Sequence, residues 1–205
     1  MSMFNDFLGS SFTKSTGKEQ PAAKDADTTE SLTDIGSTLT DALKEMTETT
    51  KTVPADAALE GIFTIYTAMP GQPAMCLDVN GASKSANATV ILYQENKQKN
   101  QQFKFTLVDQ KNLYYKIEAV HSGLVLDVKG GVCKSGDIIM QYHYHGGDNQ
   151  LWKLEKLSNG NYIIICKKNS LVLDVSGGRR QNCTQIIAYT RHGNENQQFL
   201  IIPVK

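Results

Sequence analysis

Two different hydrophobic patterns meet near residue 58 of this 205-residue chain. From Gly61 onward, apolar residues fall in short runs bounded by Gly, Asn and Ser, the texture of strands joined by tight turns. The spacing predicts strands over 62–67, 75–79, 89–94 and 102–107, then 113–120, 124–128, 138–144 and 151–157, then 162–167, 171–175, 185–190 and 198–204. No helical periodicity interrupts them. Before residue 58 the pattern is helical instead. Leu32, Ile35, Leu39, Leu43 and Met46 recur on one face, Thr28 or Ser31 can cap the start, and Pro54 marks an end. Gly36 and the many threonines weaken this helix, and about twenty residues is marginal for a helix alone. The apolar stripe within residues 28–50 therefore needs a partner surface: the chain's own domain, a second copy, or another protein. The cluster Phe4, Phe7, Leu8 and Phe12 reads equally as a docking element or a frayed terminus.

The strand-forming region repeats itself. Cys76, Leu77, Asp78 and Val79 correspond to Val125 through Val128 and to Val172 through Val175, so that Asp78, Asp127 and Asp174 are equivalent. At fixed distances after each aspartate come a tyrosine (Tyr93, Tyr142, Tyr189), an asparagine (Asn100, Asn149, Asn196), a glutamine (Gln101, Gln150, Gln197) and an aromatic residue (Phe103, Trp152, Phe199). The copies are offset by 49 and 47 residues. Three units of four strands suit a closed all-β body with pseudo-threefold symmetry. A propeller blade has similar length, but three blades do not close a propeller. The expected fold is a β-trefoil of three four-stranded repeats over residues 59–205, preceded by a partly disordered arm, residues 1–58, with one short amphipathic helix. The arm is rich in Thr, Ser, Lys, Asp and Glu, which cannot bury enough apolar surface to offset the entropy of ordering.

Charge and motifs then remove several classes of function. Lys plus Arg and Asp plus Glu each total 21, so no net field draws in a polyanion, and nucleic acid is not the expected partner. No apolar run is long enough to span a membrane, and the first residues lack the basic and apolar regions of a secretory signal, so a cytoplasmic location is expected. The four cysteines, Cys76, Cys133, Cys166 and Cys183, lack regular spacing and read as reduced thiols rather than staples or metal ligands. His143 and His145 share a strand face, but no third ligand accompanies them, so neither metal nor cofactor is expected. Without a signal, the sequons at Asn87 and Asn182 carry no glycosylation assignment. No phosphate loop, serine elbow or zinc spacing appears, and each repeat supplies one carboxylate where glycoside hydrolysis needs two.

The repeated Leu-Asp-Val, tyrosine and Asn-Gln-x-aromatic pattern resembles the ricin B-chain type lectin family, whose hallmark is a repeated Gln-x-Trp. The resemblance covers about residues 59–205. It departs from the family where phenylalanine replaces two hallmark tryptophans, at Phe103 and Phe199, and where the disulfide of secreted members is missing. Cys76 stands at one expected position, with no cysteine near Glu95 to join it. By the family's pattern, Asp78, Tyr93 and Asn100 form one sugar site, Asp127, Tyr142 and Asn149 the second, and Asp174, Tyr189 and Asn196 the third. Galactose or N-acetylgalactosamine is the usual ligand, and the implied role is a non-enzymatic lectin for glycans or glycoproteins.

The chemistry of such a set can be followed from the residues. A carboxylate accepts hydrogen bonds from two adjacent hydroxyls at once, an aromatic ring covers the C–H face of a hexose, and an amide adds a donor and an acceptor. Strand alternation puts Ile91, Met140 and Ile187 on the same face as the tyrosines, where they extend the apolar floor. Gln101, Gln150 and Gln197, with Phe103, Trp152 and Phe199, read as structural support that pins each repeat and orients its aspartate. Against a binding role, each aspartate precedes a glycine by three residues (Gly81, Gly130, Gly177) and can simply close a turn, and the tyrosines can be rim packing. Affinity per site should lie near the millimolar range, so useful binding comes from several sites meeting a multivalent glycan. The alternatives are a trefoil that binds protein through its loops, or a structural subunit assembled through its arm as a homo-oligomer.

Overall fold

The computed structural model describes residues 58–205, and the arm with its expected helix over 28–50 lies outside the described residues. Twelve strands follow one another in the order the hydrophobic runs predict. They are β1 (Gly61–Thr67), β2 (Met75–Val79), β3 (Val90–Gln94), β4 (Phe103–Asp109), β5 (Tyr114–Ala119), β6 (Val125–Val128), β7 (Asp137–Tyr142), β8 (Trp152–Lys156), β9 (Tyr162–Cys166), β10 (Val172–Val175), β11 (Thr184–Tyr189) and β12 (Phe199–Pro203). β1 pairs with β4, β4 with β5, β5 with β8, β8 with β9, β9 with β12, and β12 returns to β1. That circuit is a closed six-stranded antiparallel barrel with no free edge. The remaining strands form three hairpins, β2–β3, β6–β7 and β10–β11, at one end of it. This is a β-trefoil.

The barrel closes because alternate residues of its strands are apolar and point inward. Phe63, Ile65, Phe105, Ile117, Ile164 and Ile201 belong to the buried core with the three repeat-closing aromatics, Phe103, Trp152 and Phe199, each fully enclosed. Trp152 donates its indole N–H to the carbonyl of Leu126 at 3.2 Å, a bond that phenylalanine at the other two positions cannot make. The hairpins contact one another in cyclic order: Thr89 bridges Met140, Ile138 pairs with Ile187, and Gln185 pairs with Ile91. Each repeat therefore leans on another one.

The structure corrects two details of the sequence reading. β7 ends at Tyr142 rather than continuing to residue 144, so His143 and His145 do not share a strand face. Their backbone is taken out of the ladder by Gln150, which donates to the His143 carbonyl and accepts from the His145 amide, both at 2.8 Å. Each Asn-Gln pair also closes a 3₁₀ turn, at Lys99–Gln101, Asp148–Gln150 and Glu195–Gln197, which no periodicity announced. All four cysteines are free thiols. Cys133 and Cys166 are buried with their sulfurs 4.0 Å apart, within reach of a thiol hydrogen bond but not joined as a disulfide.

Candidate functional site

Three cavities open on the three hairpins, and each gathers the residues of one repeat. Asp78, Ile91, Tyr93 and Asn100 line the first. Asp127, Met140, Tyr142 and Asn149 line the second, and Asp174, Ile187, Tyr189 and Asn196 the third. Strand register produces this convergence. Asp78 lies opposite Ile91, Asp127 opposite Met140 and Asp174 opposite Ile187. Each tyrosine is two residues further along the same strand and so projects from the same face. The asparagine arrives from the 3₁₀ turn, where Asn100 and Asn196 donate to the carbonyls of Val79 and Val175 at 3.3 and 3.4 Å.

A buried glutamine holds each aspartate in place. Gln101 Nε2 donates to Asp78 Oδ2 at 2.9 Å and to the Gln94 carbonyl at 2.9 Å, while its Oε1 accepts from the Asn96 amide at 2.8 Å. Gln150 repeats this with Asp127 (2.7 Å), His143 and His145, and Gln197 with Asp174 (2.8 Å), Thr190 and His192. Every polar atom of the glutamine amide is thus committed, so its role is to position. The side-chain hydrogen bonds of the three aspartates go to these glutamines, and among the described residues none comes from a backbone amide of the following turn.

The aspartates are almost wholly covered, which removes water from a charged group. Burial pushes the carboxyls of Asp78 and Asp127 above the ordinary range, and the bonds from their glutamine and asparagine partners reduce the rise without cancelling it. Asn100 Oδ1 is a buried acceptor with no donor among the described residues. Such an atom in a cavity wall is open to a donor from outside the protein.

Sequence reasoning missed one position in each repeat. His145 Nε2 lies 3.6 Å from Asp127 Oδ2, and His192 Nε2 lies 3.3 Å from Asp174 Oδ2; both histidines line their cavities. Asn96 takes the corresponding place in the first repeat and lines that cavity. The signal was available, because residues 96, 145 and 192 keep the 49- and 47-residue offsets of the other site positions. It was obscured because the side chain changes from amide to imidazole. Among the described residues no three His, Cys, Asp or Glu side chains cluster as a metal site would require. Each cavity offers one carboxylate, one ring, one apolar floor residue and one amide. That set has the chemistry to hydrogen-bond hydroxyls and to cover a C–H face, and among the lining residues there is one acid per cavity where hydrolysis of a glycosidic bond uses two.

Comparison with known proteins gives the same picture from outside the chain. The family model for ricin-type beta-trefoil lectin domain-like sequences matches residues 58–142, 99–189 and 148–205, overlapping matches offset by about one repeat. Among solved structures, the designed threefold-symmetric protein ThreeFoil is 33% identical with a TM-score of 0.66, covering 71% of this chain and 100% of its own. An exo-beta-1,3-galactanase, 1,3Gal43A from Clostridium thermocellum, is 28% identical with a TM-score of 0.65 over 70% of this chain, which spans only 30% of that enzyme. The ricin B-like lectin of Macrolepiota procera, solved with lactose, shares the fold at 17% identity and a TM-score of 0.60, covering 73% of this chain and 100% of its own. No curated protein sequence matches the chain.

Proposed function

The chain belongs to the ricin-type β-trefoil lectin family, and from that premise we propose that it binds galactose-type glycans at three repeat-related pockets without chemically altering them. The carrying observation is the same four-residue set around one cavity, three times over. In this reading Asp78, Asp127 and Asp174 accept bonds from two neighbouring hydroxyls of a sugar edge. Tyr93, Tyr142 and Tyr189, with Ile91, Met140 and Ile187, cover its C–H face, and Asn100, Asn149 and Asn196 complete the polar contacts. The unpartnered Asn100 Oδ1 supports this, because a sugar hydroxyl is the donor it lacks. The lactose bound by the Macrolepiota lectin supports a galactose-type ligand.

Each pocket is shallow, so a few charge-assisted bonds at about 1.5–3 kcal/mol, less the costs of ordering and desolvation, leave single-site affinity near the millimolar range. Avidity for a multivalent glycan follows from presenting several such pockets on one body. The test compares the wild-type protein with the triple variant Asp78→Ala/Asp127→Ala/Asp174→Ala on a glycan array. Wild type is expected to mark galactose-terminated glycans and the variant to lose them. Equal signals from the two proteins end this reading.

A further inference from the structure

Two of the three cavities have a wall that their own repeat does not supply. Nine residues after each aspartate the chain passes through the left-handed region: Asn87 at φ 68°, Gly136 at φ 99° and Cys183 at φ 65°. The amide of each donates to a carbonyl in another repeat. Asn87 reaches Gln141 at 2.9 Å, Gly136 reaches Ala188 at 2.7 Å, and Cys183 reaches Leu92 at 2.9 Å. Those carbonyls belong to the residues immediately before Tyr142, Tyr189 and Tyr93, the rings of the three sites. A turn of one repeat is thereby fixed beside the ring of another. Asn87 lines the cavity of Asp127, and Cys183 lines the cavity of Asp78. Gly136 brings no side chain to the cavity of Asp174, and a Cβ placed there would meet nothing within 4 Å. The cavity volumes are about 350 Å³ where asparagine intrudes, 410 Å³ where cysteine does and 470 Å³ where no side chain from another repeat lines the wall.

We propose that Asn87 and Cys183 are specificity residues that read the part of a glycan beyond its terminal ring, and that glycine at the equivalent position 136 leaves the third pocket without such a reader, so that the three sugar pockets are unequal. This rests on the sugar-binding role proposed above and adds to it a division of labour. The Asn87 side chain is exposed and makes no hydrogen bond among the described residues, so its donor and acceptor are free for a ligand. The Asp127 pocket therefore favours galactosides that carry a polar substituent beside the terminal ring, an acetamido group or a second sugar. The Asp174 pocket, with no such group, depends on the terminal sugar alone and admits bulkier branches. The Asp78 pocket has a thiol there, a weak hydrogen-bonding group and a nucleophile.

The experiment isolates one pocket at a time by changing the other two aspartates to alanine in the full chain, then titrates galactose, N-acetylgalactosamine and lactose at millimolar concentrations by NMR. In the Asp127-only protein, Asn87→Gly should weaken N-acetylgalactosamine or lactose roughly 2–10-fold, the weight of one neutral hydrogen bond, and leave galactose within twofold. The left-handed backbone there suits glycine and keeps its amide bond, so the fold survives the change. Gly136→Asn in the Asp174-only protein should move its preferences toward those of the Asp127 pocket. In the wild type, lactose should slow alkylation of Cys183 by iodoacetamide, and Asp78→Ala should abolish that protection. If the three single-pocket proteins rank the sugars identically, or Asn87→Gly weakens all three sugars equally, the inference is overturned and the lectin reading stands. If no single-pocket protein binds any sugar, the lectin reading itself fails.

Discussion

Replacing Gln150 with methionine isolates the contribution of the buried glutamine clamp. The side chain is fully enclosed and methionine nearly matches its shape, so the change removes polarity while leaving little cavity. Three hydrogen bonds disappear: to Asp127 Oδ2 at 2.7 Å, to the His143 carbonyl at 2.8 Å, and from the His145 amide at 2.8 Å. The first ends on a buried carboxylate and is worth about 1.5–3 kcal/mol. The other two tether a surface loop whose polar groups can turn to water, so they cost about 0.5–1.5 kcal/mol each. The expected loss is about 4 kcal/mol, which for a domain of this size lowers Tm by roughly 8–16 °C. Thermal unfolding followed by circular dichroism at pH 7 measures it. A cycle with Asp127→Asn separates clamp from packing. If the glutamine works through the carboxylate, the second change should cost at least about 1 kcal/mol less in the presence of the first. A fall in Tm below 2 °C, or strictly additive costs, would falsify the clamp.

Further outcomes are expected. In the proposed sugar sites the carboxylate is the form that accepts the hydroxyls, and burial raises the carboxyls of Asp78 and Asp127, so both reprotonate at higher pH than ordinary aspartates. Sugar binding in the Asp78-only protein should therefore already decline above the usual carboxylate range as pH falls; a midpoint at or below about 3.9 refutes this. The same shift has the opposite sign for stability. The folded state takes up the proton more readily than the unfolded chain, so these two groups favour folding as pH falls through the raised pKa toward the unfolded value. Trp152→Phe should cost about 1–2 kcal/mol through the lost bond to Leu126 and the lost volume, with sugar affinity unchanged; altered affinity would show that the barrel core shapes the pocket. At pH 8 a thiol reagent should label one cysteine per native chain and four in denaturant. Cys183 is exposed, whereas burial encloses the other three and pushes Cys76 and Cys133 up to about 12. Labelling of two or more in the native state contradicts this burial.

Much of this molecule was legible in the sequence because its constraints are local and written three times. Alternation of apolar residues fixes which face of a strand is buried, and turn chemistry fixes where a strand stops, so all twelve strands were locatable to within two residues or so. The offsets of 49 and 47 residues tied Asp, Tyr, Asn, Gln and the closing aromatic into equivalent sets, and the fold then carried the Asp, Tyr and Asn of each set to one cavity, with the glutamine behind the aspartate and the aromatic in the core. Contacts between repeats were not legible. Nothing near Asn87 in the chain indicates that it faces Asp127, forty residues away, or that Cys183 faces Asp78 across most of the domain. His145 and His192 reach their aspartates from a loop that a glutamine five residues on holds by the histidine amide, a local bond that strand periodicity does not encode. Periodicity encodes which side of a strand meets the core. Only closure of the barrel decides which repeat leans on which, because that neighbour is chosen by the summed geometry of all twelve strands and by no single segment.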